Sequence, residues 1–455
     1  MQPYWLCLIA LIGAGAVGII QRWRAPMVGL GLATMIACTR LVLALPLNET
    51  ATFLGQPWSL DQSTQALLTF VYGTTMVLLA IAATAEQAES FYAPVLASVG
   101  LLSVAILLRS WLSFLLLPAA LIVLVLATPP AFPTSLRGAS RFLAWATLPV
   151  PFLLAIPILL ERFALFPDQQ LLAYRSAWLV VPPLVLWLTL FPLHGTTPLW
   201  ASGNPHLTLT FLWTVKDWVV LHLFLTLWQQ NPVLHTEGVT ATLSGLGLLT
   251  TVFSGVWAVI QTSPSAVLGC AAISVLGLVV QGVAVGSGEG LLGAMSWLVH
   301  RSVAVLLASS ALIALYSQSI ADGEEAKAQS FPWQGLILFI IFIVCVLDLA
   351  GMPLISRGLL GYQKVDKVLQ ETQPRVIQAL WIRSAGIIIG LIRVSWRLWH
   401  DQVRASAGRI RFLSFSLVIC IFLVLLWLEL SSSLVIDWVS TVAAPFSAPL
   451  TTPFS

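Results

Sequence analysis

Apolar runs of about 18 or more residues recur along almost the whole chain, each long enough to cross a hydrocarbon core of about 30 Å. That one feature fixes the solvent. Inside lipid every backbone N–H and C=O has to be satisfied within the spanning structure, which leaves helices or closed barrels. The runs are continuous Leu, Val, Ile and Ala without period-two alternation, which excludes a barrel. Composition agrees: 58% of the 455 residues are hydrophobic and 9% are charged, against about 25% charged in soluble domains. The expected fold is an all-α polytopic membrane protein with about 12–14 transmembrane helices.

Candidate spans fall near 4–20, 27–45, 65–84, 92–108, 111–129, 139–160, 175–192, 206–228, 239–261, 265–285, 289–317, 333–360 and 411–431. The first, Tyr4 to Ile20, lacks a basic leader and an obvious cleavage site, so it is expected to be retained. Arg22 and Arg24 follow it closely, which favours a cytoplasmic first loop and places the polar loop Asn48 to Gln62 outside. The expected organisation is N-terminal helices over 1–90, a transmembrane core over 91–365, an amphipathic helix over 366–410 and a C-terminal anchor and tail over 411–455.

Several functions are excluded by what the chain lacks. The net charge of +3 rests on arginines near span ends, which is membrane-surface anchoring and not a nucleic-acid footprint. Cys7, Cys38, Cys270, Cys345 and Cys420 stand singly, without a CxxC pair, so iron–sulfur clusters and structural zinc are not expected. Six histidines show no pairing pattern for haem, and neither a dinucleotide fingerprint nor a P-loop is present. No cofactor, metal or catalytic site is expected in this chain.

Two regions break the apolar monotony. Pro182-Pro183 and Leu349-Ala350-Gly351-Met352-Pro353 interrupt runs in the two halves of the core, as discontinuous helices do in inverted-repeat transporters. Over Gln373 to Arg409, apolar residues alternate with Arg375, Arg383, Arg393, Arg397 and Arg404 at helical spacing, with Trp381, Trp396 and Trp399 interspersed. Such an amphipathic helix is expected along the membrane surface or the flank of a neighbouring subunit, with a tilted span as the alternative.

Ionisable residues inside spans are costly and mark candidate sites. The set is Arg40, Lys216 with Asp217, His222, His300 with Arg301, and Asp348. Lys216 is a candidate proton carrier, because burial can bring a lysine to titrate where an arginine cannot; the alternative is a structural ion pair to a carboxylate on another helix. Asp217 is adjacent in sequence and is expected to point elsewhere. His300 can relay protons or simply hydrogen-bond between helices. Asp348 precedes the second break and is expected either to bind freed backbone amides or to take part in ion binding. Arg40, near a span end, is expected to snorkel.

Taken together, these residues resemble the antiporter-like subunits of respiratory complex I, a family that includes Mrp cation antiporters, membrane-bound hydrogenases and photosynthetic NDH-type complexes. Phe191-Pro192-Leu193-His194-Gly195, then Asn204-Pro205, then Lys216 resemble the family's P-[LF]-H-x-W-L-P stretch, its Pro-Val-Ser element and the lysine eleven residues beyond that proline. Gly255-Val256-Trp257-Ala258 through Gln261 is similar to G-x-x-A-x-x-Q, and Ala271 to Gly277 to Y-S-S-I-S-x-x-G. Leu298-Val299-His300 resembles the helix of the central histidine, and Asp348 to Pro353 the S-L-A-G-x-P break. Order and spacing agree over roughly residues 60–365.

The departures fall on the charged positions that the resemblance implies for a half-channel and a charged axis. Ser113 stands where the family has a glutamate, five residues before Pro118. Trp187 and Ala304 replace lysines seven residues before His194 and four after His300. The lysine or glutamate eight residues after Pro353 falls on Gly361, with Arg357 and Lys364 nearby. Of the family's axis, Lys216 and His300 are left.

The resemblance implies a membrane subunit of a complex I-like or NDH-type assembly that takes part in proton or cation translocation, with Lys216, His300, Asp348, Asp217 and His194 as candidate residues. Two alternatives stand beside it. One is an ion-coupling subunit of an Mrp-type or inorganic-carbon uptake transporter; the other is a scaffold subunit that no longer pumps. Expected partners are other membrane subunits and the lipid bilayer, and no nucleic acid. Any NAD(P)H, ferredoxin or quinone chemistry would belong to partner subunits. The expected location is a bacterial inner membrane or a thylakoid membrane.

Overall fold

The computed structural model describes residues 2–48, 50–53, 55–85, 88–108, 110–126, 133–201, 207–316, 332–352, 375–400, 412–430 and 432–447. The first helices, α1 (Tyr4–Ile20), α2 (Arg24–Ala44), α3 (Gln62–Thr84), α4 (Ala88–Leu107) and α5 (Leu112–Val125), begin and end close to the expected spans. Asp61 starts α3 by accepting from the Thr64 N–H at 2.7 Å, which satisfies one of the helix's unbonded donors. Arg24 donates to the carbonyls of Ala83 and Ala85 at the far end of α3. The loop before α3 holds an antiparallel hairpin, β1 (Thr50–Phe53) with β2 (Gln56–Ser59), where the sequence suggests only a polar loop.

The expected span at 139–160 is two helices, α6 (Pro133–Thr147) and α7 (Pro149–Leu165). The run around Pro182-Pro183 is broken as expected, into α8 (Gln170–Trp178) and α9 (Val181–Trp187). After α10 (Thr196–Trp200) and α11 (Leu207–Phe211) the chain passes through a π-helical turn, Leu212–Lys216, into α12 (Asp217–Gln230). Next come α13 (Glu237–Ile260), α14 (Pro264–Ala284), α15 (Gly288–Tyr316) and α16 (Pro332–Leu349). Helix α16 stops at the second expected break, where Gly351 adopts φ +95°; Pro353, Arg357, Gly361 and Lys364 lie outside the described residues. The last helices are α17 (Arg375–Leu398), α18 (Phe412–Leu430) and α19 (Ser432–Ser447).

Among the described residues, nine helices are long and apolar enough to cross a membrane, and five shorter apolar helices accompany them. Leu207–Gln230 and Pro264–Ala284 are wholly buried over their apolar windows, and Gly288–Tyr316 nearly so. These three segments form the centre and carry most of the intramembrane ions. Helices α13 and α14 touch backbone to backbone: a Cβ on Gly277 would meet the Gly247 carbonyl at 2.6 Å, and one on Gly247 the Gly277 carbonyl at 2.6 Å. Without a hydrophobic drive between helices in lipid, such small-residue contacts hold the bundle.

Helix α17 is amphipathic, as expected, but it is embedded. Val376, Ile387, Leu391 and Val394 are buried, and Gly386 lies so close to the Gly255 carbonyl that no Cβ fits between them. Val376–Leu398 is also long and apolar enough to cross a membrane, so by length and composition it fits the tilted span that the sequence leaves open as well as a lateral helix along the bundle. Helix α19 packs inward at the end of the chain: Ser63 Oγ donates to the Val442 carbonyl at 2.9 Å, and Trp438 stacks edge-on against Trp218, 5.5 Å between rings.

Candidate functional site

The π-helical turn builds the first half of the site. Its wider turn, with i→i+5 bonding, rotates less per residue than an α-helix, so neighbouring side chains diverge less. Lys216 Nζ therefore lies 2.7 Å from Asp217 Oδ1, which corrects the expectation that adjacent residues point apart. Lys216 Nζ also donates to the Trp187 carbonyl at 2.5 Å.

Arg301, from the middle of α15, completes this cluster. Its Nη2 donates to Asp217 Oδ2 at 2.7 Å, its Nε to the Ala272 carbonyl at 2.7 Å and its Nη1 to the Trp213 carbonyl at 2.6 Å. The Trp213 carbonyl belongs to the π turn. The turn thus supplies both the close Lys216–Asp217 pair and an acceptor for the arginine. Trp218 Nε1 donates to Ser302 Oγ at 3.1 Å and ties α12 to α15 beside the cluster.

His300 builds the second half. Its Nε2 lies 2.8 Å from Asp348 Oδ2, just before the break in α16. Asp348, at the end of α16, is paired with a histidine of α15. Consecutive residues of α15 thus grip one carboxylate from α12, Asp217, and one from α16, Asp348. Lys216, Asp217, His300, Arg301 and Asp348 are each at most 2% exposed.

A third cation reaches this region from α17. Arg383 is fully buried; it donates from Nε to Ser274 Oγ at 2.9 Å, contacts the Leu349 carbonyl and lies 6.0 Å from the centre of the Trp297 ring. Ser384 Oγ donates to the Ala350 carbonyl at 2.5 Å. Neighbouring residues of α17 therefore satisfy two carbonyls at the break of α16, the need any interrupted helix in lipid creates.

The chemistry follows from the charges. Ionised, Lys216 and Arg301 bring two positive charges and Asp217 one negative. Arginine stays charged, and Arg301 keeps Asp217 paired whatever Lys216 does. Lys216 is the member whose proton can leave without stranding a buried charge. In the second cluster the His300 imidazole and the Asp348 carboxylate share one 2.8 Å contact.

Four of the five candidates, Lys216, Asp217, His300 and Asp348, fall into these two clusters. His194 does not: it is buried among Phe191, Phe253 and Trp257, with ring centres 5.7, 6.2 and 5.9 Å away. Arg383 is a site residue that sequence reasoning missed, and Arg301 was named among the intramembrane ions without a role. Arg301 carried a signal, an arginine midway along an apolar run; Arg383 was hidden in the basic stripe of an amphipathic helix. Arg40, at the end of α2, is exposed, in keeping with snorkelling.

Among the described residues, nine membrane-length apolar helices and five shorter ones surround these paired buried ions. No family model matches the sequence. A chain of respiratory complex I from Thermus thermophilus is similar over 99% of this chain and 100% of its own, with TM-score 0.74 and 16% identity. A chain of the Mrp complex from Dietzia sp. is similar over 99% and 98%, with TM-score 0.76 and 14% identity. A chain of the membrane-bound sulfane sulfur reductase, an archaeal respiratory membrane complex, is similar over 98% and 99%, with TM-score 0.81 and 12% identity. The fold that the sequence motifs imply is the fold the chain has.

Proposed function

We propose that this chain is a membrane subunit of a multi-subunit assembly of the complex I or Mrp kind, and that it takes part in moving protons, or a small cation, across the membrane. The observation that carries this reading is the double cluster, Lys216–Asp217–Arg301 and His300–Asp348, fixed by adjacent residues of α15. Buried ion pairs are often no more stable than apolar packing of similar volume, so five buried ionisable residues in one bundle centre support a role beyond stability. Lys216 is the proton carrier of the first cluster and Arg301 its fixed counter-charge. His300 and Asp348 form the second step. Redox or NAD(P)H chemistry, where the assembly has any, belongs to partner subunits.

A second reading, a scaffold subunit that does not pump, is favoured by one observation. Trp187, at a position where the family resemblance implies a lysine, packs with Phe114 and Phe224 into an apolar aromatic layer beside Lys216. The experiment that tests membership in an assembly is mild-detergent purification of the full chain with mass spectrometry of its companions. Co-purifying quinone-reductase or Mrp-type membrane subunits are the expected result. A soluble inorganic-carbon-processing partner would move the chain to the carbon-uptake branch. A chain that purifies alone and monodisperse would contradict the subunit reading.

A further inference from the structure

A cavity of about 60 Å³ opens at one end of the bundle, where the start of α3, the start of α5, the end of α12 and the end of α19 meet. Space of that size holds about four waters at roughly 15 Å³ each. Gln229 and Gln230 are exposed at its rim, while Ser113, His222 and the half-exposed Asp61 and Thr226 line its interior. A polar lining of this kind keeps water, whereas apolar voids of similar size stay dry. His222 is buried and packs edge-on against Phe446, 5.7 Å between rings. It is the imidazole on this wall.

The inner wall is aromatic. Phe114 lines the cavity and stacks on Trp187 with 6.4 Å between centroids and 4° between planes. Phe224 closes the layer edge-on, 6.0 Å from Phe114 and 6.3 Å from Trp187. The Trp187 indole is fixed by donating to the Ala146 carbonyl at 2.9 Å, and its own carbonyl accepts from Lys216. The three rings therefore stand between the cavity wall and the residue whose carbonyl holds the lysine.

We propose that this cavity is a water-filled antechamber that brings water and hydronium to His222, and that the layer of Phe114, Trp187 and Phe224 seals it from Lys216. The inference deepens the proposed function by naming the access route to its first cluster, and it rests on that reading only for the antechamber's part in transport. The sealed state is the one the structure holds; rotation of Trp187 would join the two compartments.

Cysteine accessibility in the full chain tests this without requiring any flux. Of the native cysteines Cys420 is exposed and the other four are buried, so Cys420→Ser gives a quiet background. A charged, membrane-impermeant thiol reagent is expected to label Ser113→Cys and Thr226→Cys and to leave Lys216→Cys unlabelled. Adding Trp187→Ala or, separately, Phe114→Ala is expected to open Lys216→Cys to the reagent, while Trp187→Phe keeps it protected. Silence at both 113 and 226 would overturn the antechamber. Labelling of Lys216→Cys behind the intact layer, or protection that survives both alanine substitutions, would overturn the seal. A chain that labels as expected but moves no protons would sink the transport reading and leave the antechamber standing.

Discussion

Arg301 meets Asp217, 84 residues earlier in the chain, with Nη2 and Oδ2 2.7 Å apart. The contact makes Asp217 the shared anion of two buried cations, since Lys216 lies on its other oxygen. Asp217→Asn leaves those cations facing each other without compensation. Breaking a buried pair from one side costs about 3–5 kcal/mol, so thermal unfolding in detergent should fall sharply for this variant. A stability within about 1 kcal/mol of the parent would mean the cations are hydrated or not both charged.

Arg383 is the bolt between α17 and the break in α16. The turn it holds keeps its own bonds, from Ala350 N–H to the Val346 carbonyl at 2.9 Å and from Gly351 N–H to the Asp348 carbonyl at 3.0 Å. Removing a charged donor from a buried acceptor costs about 1–3 kcal/mol. Arg383→Met should therefore speed amide exchange at residues 349–352, with Arg383→Lys intermediate because it supplies one donor direction instead of a fork. Unchanged exchange in both variants would show that the break holds itself.

The α13–α14 contact makes a packing prediction with its own control. A Cβ at Gly277 meets Thr251 Oγ1 at 2.5 Å and the Gly247 carbonyl at 2.6 Å, whereas at Gly245 nothing lies within 4 Å. Overpacking of this kind costs about 1–3 kcal/mol, so Gly277→Ala should lower the unfolding temperature. Gly245→Ala should leave it unchanged or raise it through helix propensity, by up to about 1 kcal/mol. Equal behaviour of the two would contradict the close approach.

His235, in the connection between α12 and α13, is partly buried against the Trp228 ring at 5.4 Å, and burial lowers its pKa below 6.5. The folded state thus favours the neutral ring, and the unfolded state binds more protons as pH falls. Its contribution is full above the ordinary value and is lost as pH drops through that value towards the folded one. Between about pH 7 and pH 5, His235→Gln should lose less stability than the parent chain. An identical pH dependence in the two proteins would remove His235 from the account.

The sequence made the solvent, the helical architecture and both breaks readable, because in lipid these depend on long apolar runs and on proline and glycine within them. Lys216, His300 and Asp348 were readable for the same reason: an ion in an apolar run stands out. Their partners were less so. Lys216 pairs with Asp217 at the end of a π-helical turn, a one-residue change of register that composition does not announce. The role of Arg383 depends on which side of α17 turns inward, and with arginines on several faces the pattern suggested a surface helix. The motif resembling G-x-x-A-x-x-Q proved to be a packing element: Gly255 is where α17 lies against α13. Helix α19 was folded into a tail in the sequence reading because its polar residues, Ser432, Asp437 and Ser440 among them, break the apolar run.

In the proposed function Lys216 carries a proton and is not merely one end of an ion pair. The most direct test is proton flux through the chain in its native assembly, reconstituted in liposomes, comparing Lys216→Ala, Lys216→Arg and the parent. Arginine keeps the positive charge beside Asp217 but does not release its proton near neutral pH. The account predicts that both substitutions abolish flux while the assembly stays intact. Flux retained in Lys216→Arg, with only Lys216→Ala impaired, would contradict it and leave Lys216 a structural counter-ion.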